Sequence, residues 1–203
     1  MLNFEYKDFP VVPDSLKDHI LKLTEPLILA QEGILNEVPD SDYKDDDKDD
    51  SLGVYYQKQH IHKYDKSLAF LDQYDIGDVA NQWINQNIIQ HKRASLQVIH
   101  GGELVAPHKD NTPGDPSKSR KRALNYYFET GGDSAELVFY KPLEKYAHLI
   151  LYPGTLVPFD RIEKIESIKI EPNRWHEIHT QTMHSVEFLD PTKKRIGLTI
   201  TLE

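Results

Sequence analysis

From residue 95 onward, short β-rich runs follow one another, each cut off by turn residues. The runs cover 96–100, 103–108, 122–130, 136–140, 148–152, 165–170, 175–180, 184–188 and 195–202. Gly101-Gly102, Asn111 to Pro116, Gly131-Gly132-Asp133, Pro153-Gly154 and Asp190-Pro191 punctuate them. Helices do not alternate with these strands, which rules against a doubly wound parallel sheet. The pattern predicts a mainly β fold, a sandwich or barrel, with helices packed outside it.

The first half reads differently. Residues 2–12 alternate loosely and predict an edge strand ending at Pro13. A helix is expected next, with Leu16, Ile20, Leu21 and Leu23 as its apolar stripe. Residues 25–39 fit no single pattern. Residues 66–90 read as helical, with Val79, Trp83, Ile84, Ile88 and Ile89 facing inward. The expected organisation is one domain over 1–203. In it, residues 1–94 buttress a β-core formed by 95–203, and an acidic loop spans 40–51.

Composition narrows the chemistry. The chain has no cysteine and ten histidines. Disulfides, thiolate metal sites and a thiol nucleophile are thereby excluded. Any metal must be held by His, Asp and Glu, a donor set that suits Fe(II), Mn, Zn or Ni. The net charge of −9 argues against broad nucleic-acid binding. Yet Asp40 to Asp50 alone holds seven Asp and two Lys. That low-complexity run, apolar only at Tyr43, is read as an exposed loop; a cation-binding loop is the alternative, though the glycine and closing glutamate of an EF-hand are missing. The apolar runs are too short to span a bilayer and no signal-peptide pattern opens the chain. A cytoplasmic protein is the default expectation; oligomeric state is unread.

Two segments carry chemistry. Val105-Ala-Pro-His108-Lys-Asp110 ends a strand, and residues two apart point to one side. His108 and Asp110 can therefore aim an imidazole and a carboxylate at one point, although a solvated strand end is the plain alternative. Further on, Thr182-Met-His184-Ser-Val-Glu opens a short strand with histidine. The run Arg195-Ile-Gly-Leu-Thr-Ile-Thr-Leu splits by alternation. Ile196, Leu198, Ile200 and Leu202 share one face; Arg195, Gly197, Thr199 and Thr201 share the other. A buried arginine is costly without a carboxylate. None lies on that strand face, so a ligand carboxylate is a natural partner.

H-x-D, a distant His, and an Arg eleven residues later in a final strand resemble the Fe(II)/2-oxoglutarate-dependent oxygenases, in particular their small hydroxylase-like members. Arg122-Ala-Leu-Asn125-Tyr-Tyr127-Phe is similar to the strand that follows H-x-D in that family. The resemblance covers about 95–203 and implies a double-stranded β-helix, or jelly roll. It implies that His108, Asp110 and His184 bind Fe(II), leaving three positions for 2-oxoglutarate and O₂. It gives Arg195 the far carboxylate of 2-oxoglutarate, with Thr199 or Thr201 beside it. Asn125 and Tyr127 become candidate contacts to the same molecule. Lys194, adjacent to Arg195, falls on the other face.

The implied reaction converts 2-oxoglutarate to succinate and CO₂ while a substrate C–H bond is hydroxylated. Asp110 favours hydroxylation, because related halogenases lack this carboxylate. The substrate would be an amino acid, a peptide or protein, or a small metabolite. Two alternatives stay open. One is a cupin-like metalloenzyme that does not use 2-oxoglutarate; the other is a non-catalytic jelly-roll binding protein.

Other features are assigned less. His60 and His62 form an H-x-H pair read as loop structure. Lys118, Arg120, Lys121 and Arg122 form a basic cluster read as a solvated loop. His176 and His179 are candidates for a different metal site, although three-residue spacing on a strand puts them on opposite faces, and His19, His91, His100 and His148 are read as ordinary structural or surface histidines.

Overall fold

The hydrophobic alternation seen in the sequence becomes two antiparallel sheets with two helices on one side. The structure is a computed structural model that describes residues 2–37, 71–91, 94–100, 105–110, 121–146, 157 and 159–202. The H-x-H pair, the acidic loop, the run at 148–152, Lys118 and Arg120 lie outside the described residues.

In chain order the strands are β1 (Phe4–Tyr6), β2 (Leu71–Asp75), β3 (Ala94–Ile99), β4 (Val105–His108) and β5 (Arg122–Thr130). They continue as β6 (Glu136–Pro142), β7 (Ile162–Lys169), β8 (Trp175–His179), β9 (Met183–Glu187) and β10 (Arg195–Leu202). The helices are α1 (Asp14–Glu37) and α2 (Gly77–Asn87).

One sheet has the order β1-β8-β5-β10-β3-β2, the other β4-β9-β6-β7. Counting β3 as the first core strand and β10 as the eighth, the core orders are 1-8-3-6 and 2-7-4-5. The chain steps back and forth between the sheets, as two interlocked Greek keys require. This is a jelly roll, the architecture that cupins also use.

The expected edge strand is shorter than 2–12, and residues 71–75 are not helical. They form β2, paired along β3 from Leu71↔Ile99 to Asp75↔Ser95. The first half is therefore more than an outer buttress, because β1 and β2 close the two edges of the larger sheet. Leu-Asp-Gln-Tyr-Asp carries no clean apolar alternation; its strand character comes from pairing with β3.

Leu16, Ile20 and Ile28 of α1 and Ala80 and Ile84 of α2 are buried at helical spacing. Both helices lay this stripe on the larger sheet. There they meet Leu96, Val98, Leu124, Tyr126, Leu198 and Ile200. Burying each such side chain is worth about 1.5–3 kcal/mol. Leu23, Val79 and Ile89, expected to face inward, are exposed instead. Val79 and Leu23 precede Ala80 and Thr24, the residues that occupy the inner stripe.

α1 runs through Pro26, which explains why 25–39 was unreadable from sequence. Proline has no N–H for the preceding turn. Two residues earlier Thr24 turns its hydroxyl back to the Ile20 carbonyl at 2.9 Å, satisfying a buried side chain within the helix. Among the described residues no helix is long and apolar enough to cross a membrane.

Candidate functional site

The smaller sheet supplies three polar side chains at one point. β4 and β9 pair so that His108 stands directly opposite His184, and Phe139 of β6 flanks His184 in the next position. Directly opposite side chains on antiparallel strands are close neighbours. The two imidazole centroids lie 4.7 Å apart. Asp110 follows β4 by two residues and turns its carboxylate toward both rings. Its Oδ1 is 3.2 Å from His108 Nε2 and 3.5 Å from His184 Nε2.

β4 can end this way because it is an edge strand. Pro107 lacks a ladder donor, and only edges and bulges accept that. The pairing of β4 with β9 is irregular between Val105 and His108. The Pro107 carbonyl takes the Val157 N–H at 2.8 Å instead.

One ligand atom from each of His108, Asp110 and His184 falls within 4.8 Å of the other two. Donors at about 2.1 Å from a common ion sit ~3.0–3.4 Å apart in octahedral or tetrahedral arrangements. The 3.2 Å separation falls within that range and the 3.5 Å separation lies just beyond it. Two imidazoles and one carboxylate are also a donor set that borderline divalent metals accept. His184 Nδ1 donates to the Thr182 carbonyl at 3.0 Å, which orients the ring so that Nε2 is the nitrogen turned to the triad. The triad can hold a metal ion.

The larger sheet faces this triad with a polar surface. Along β10, Ile196, Leu198 and Ile200 point to the helices, while Arg195, Gly197 and Thr199 point to the other sheet. Register carries the polarity sideways. Thr199 pairs with Asn125 and Ser95, and Asn125 pairs with His176, giving one row across β8, β5, β10 and β3. All four side chains are buried.

Arg195 lies deeper on the same face. It is 1% exposed, and its Nε and Nη1 have no hydrogen-bond partner among the described residues. Its guanidinium rests over the Tyr127 ring, with Cζ 4.1 Å from the centroid. Gly197 makes this contact available, because a Cβ there would overlap the Tyr127 ring. Thr199 Oγ1 is also buried and unpartnered among the described residues. A buried cation and a buried hydroxyl placed this way can receive an anionic ligand that accepts hydrogen bonds.

His176, which the sequence offers only as a candidate for a different metal site, has another place in the structure. It and His179 do fall on opposite faces, but His176 is fully buried, stacked on Phe4 at 5.1 Å and on Tyr127 at 5.4 Å. Burial, and after it the Arg195 charge, push the imidazole down to about 3. The bond from Nδ1 to the Arg174 carbonyl opposes both. His176 is thus a neutral side chain whose Nε2 has no partner among the described residues. The alternation Trp175-His176-Glu177-Ile178 was the available signal that His176 shares the inward face with Ile178.

The other expected residues fall as follows. Asn125 and Tyr127 share the inner face, and Thr199 joins them. Thr201 is only half-buried at the strand end, and Lys194 precedes β10 outside the buried face. Lys121 and Arg122 are exposed, with Arg122 Nη1 paired to Glu177 at 3.0 Å.

No protein-family profile matches the chain, and no curated protein matches it in sequence. Solved structures give faint likenesses. The ribosomal oxygenase YcfD of Escherichia coli aligns over 54% of this chain at 13% identity and a TM-score of 0.31. The chain spans only 23% of that oxygenase's length. A cupin domain from Bordetella pertussis Tohama I aligns over 68% of this chain and 96% of its own, at 10% identity and 0.31. The protein CytC3 aligns over 98% of this chain and 72% of its own, at 14% identity and 0.34. The jelly-roll assignment stands on strand order and needs none of them.

Proposed function

We propose that this chain is an Fe(II)- and 2-oxoglutarate-dependent dioxygenase that hydroxylates a C–H bond. The observation that carries the reading is Arg195. A buried guanidinium with two unpartnered nitrogens and a ring beneath it is a receptor for a carboxylate, and it lies on the sheet face opposite the triad. A metal enzyme without a carboxylate co-substrate has no use for it.

In this reading His108, Asp110 and His184 hold the iron. Arg195 binds the far carboxylate of 2-oxoglutarate, and Thr199 adds a hydrogen bond from the same face. Asn125 and Tyr127 line the space between, Tyr127 keeping the guanidinium in place from below. Fe(II), 2-oxoglutarate and O₂ together supply the oxidation, with succinate, CO₂ and a hydroxylated substrate as products. The surrounding side chains bind, orient and exclude water. The substrate is an amino acid, a peptide or protein side chain, or a small metabolite.

The test is anaerobic addition of Fe(II) and 2-oxoglutarate. A weak visible charge-transfer band is expected, absent in His108→Ala and in His184→Ala. Tight metal binding with no band and no succinate formed in air would instead make the chain a cupin-like metalloenzyme of another kind. No metal binding at all would leave a binding module.

A further inference from the structure

The triad is held in place by a turn that belongs to neither of its strands. Between β8 and β9, residues 180–182 touch two of the three triad members. The Thr180 carbonyl accepts the Asp110 N–H at 3.1 Å, and Gln181 Nε2 donates to the Asp110 carbonyl at 3.1 Å. The Thr182 carbonyl accepts His184 Nδ1–H at 3.0 Å. This turn thus sets where the carboxylate starts and which way one imidazole faces.

The turn is in turn fastened by the start of the chain. Asn3 uses three groups to do so. Its carbonyl accepts the His179 N–H at 2.9 Å, and its Oδ1 accepts the Thr182 hydroxyl at 2.9 Å. Its Nδ2 donates to Glu166 Oε2 on β7 at 3.2 Å, tying the other sheet to the same point. The strand that delivers Asn3 is only three residues long and lies at the sheet edge. An edge strand that short is held weakly by its own ladder.

We infer that Asn3 is a positioning residue of the metal centre, acting through Thr182, so that docking of β1 and metal binding strengthen one another. The chain of cause is short. The Asn3–Thr182 bond restrains the 182–183 peptide. That peptide's carbonyl restrains the His184 ring, and ligand orientation by such partners is worth tenfold or more in metal affinity. Linkage makes the effect reciprocal: what β1 does for the metal, the metal does for β1. The inference rests on the metal-centre reading of the triad and is independent of 2-oxoglutarate.

Co(II) is the probe, titrated into the full chain and followed by its visible ligand-field absorption. Thr182→Val removes the hydroxyl while keeping the carbonyl that meets His184, and Asn3→Ala removes the acceptor. Each is expected to weaken Co(II) binding about three- to tenfold, one step further out than a direct ligand partner. The double variant should be no weaker than Asn3→Ala alone, because the Thr182 bond is already lost there. Thr182→Ser should restore wild-type affinity. The metal-free melting temperature of Thr182→Val should stay within about 2 °C of wild type, since one part-buried hydrogen bond is lost, while Asn3→Ala also loses the bond to Glu166 and should melt a few degrees lower. In the wild type, Co(II) should slow hydrogen exchange at the His179 amide. Unchanged Co(II) affinity in both single variants would overturn the inference. So would additive losses that follow melting temperature and persist in Thr182→Ser. A wild-type chain that takes up no Co(II) would refute the metal centre itself, and this inference with it.

Discussion

The two faces of the larger sheet are built from the same strands to opposite ends. Toward the helices, β3, β5 and β10 present Leu96, Val98, Leu124, Tyr126, Leu198 and Ile200, a continuous apolar layer. Toward the smaller sheet, the alternate positions present Ser95, Gln97, Asn125, Arg195 and Thr199, all buried and polar. An interior composed only for stability would be apolar on both sides. A polar surface sealed away from water is costly unless something arrives to complete its hydrogen bonds. The helix-facing side is apolar throughout, whereas on the other side Ala123, Tyr127 and Ile178 pack on Leu137 and Phe139 and the polar positions lie among them.

The comparison breaks if outer-face variants change binding, or inner-face variants change stability in the expected order. The largest effect belongs to Leu198→Ala, a fully buried outer-face residue. It should cost about 2–5 kcal/mol of stability by denaturant titration. 2-Oxoglutarate affinity of the folded fraction should remain within about twofold of wild type. Arg195→Met should do the reverse. It is expected to lower affinity for 2-oxoglutarate about 100-fold in the metal-loaded protein. Its melting temperature should be unchanged or higher, because a buried unpaired charge is replaced by an apolar chain. A large loss of stability in that variant would mean Arg195 serves the fold.

The smallest effect concerns His176. Its imidazole is held down to about 3 in the folded chain, whereas the unfolded chain protonates near the ordinary value of 6.5. Between those values the unfolded state binds the extra proton, so stability rises with pH and is lost as pH falls. The slope from this group is roughly 1 kcal/mol per pH unit. His176→Phe keeps an aromatic ring between Phe4 and Tyr127 and should lack that part of the slope in urea titrations at pH 7 and pH 5. An equal slope in both proteins would show that His176 already carries its proton in the fold.

Much of this was legible because a strand's period is two. The runs at 122–130 and 195–202 coincide with β5 and β10, and alternation alone separated Arg195 and Thr199 from Leu198 and Ile200. His108 and Asp110 were readable for the same reason. What failed depends on pairing. β2 has no pattern of its own, and its identity follows from β3 alongside it. α1 continues past Pro26 because its other turns are anchored to the sheet. The depth of His176 is not legible locally, since its burial is completed by Phe4 from the far end of the sequence. The role of Asn3 has no local signal at all, because every one of its partners lies more than a hundred residues away in the chain.

One irregularity in β5 decides what Arg195 can bind. Along β10, Gly197 pairs with Tyr127, yet Ile196 pairs with Glu129 and Arg195 with Thr130. Phe128 is the extra residue, a bulge. In a regular ladder Ile196 would face Phe128 and Arg195 would face Glu129. Arginine and glutamate directly opposite each other would form an internal ion pair, and the guanidinium would be spent. The bulge turns Glu129 out to solvent and sets a neutral threonine in its place. The strand neighbour of Arg195 is therefore a hydroxyl side chain rather than a carboxylate, and the ladder itself does not neutralise the charge.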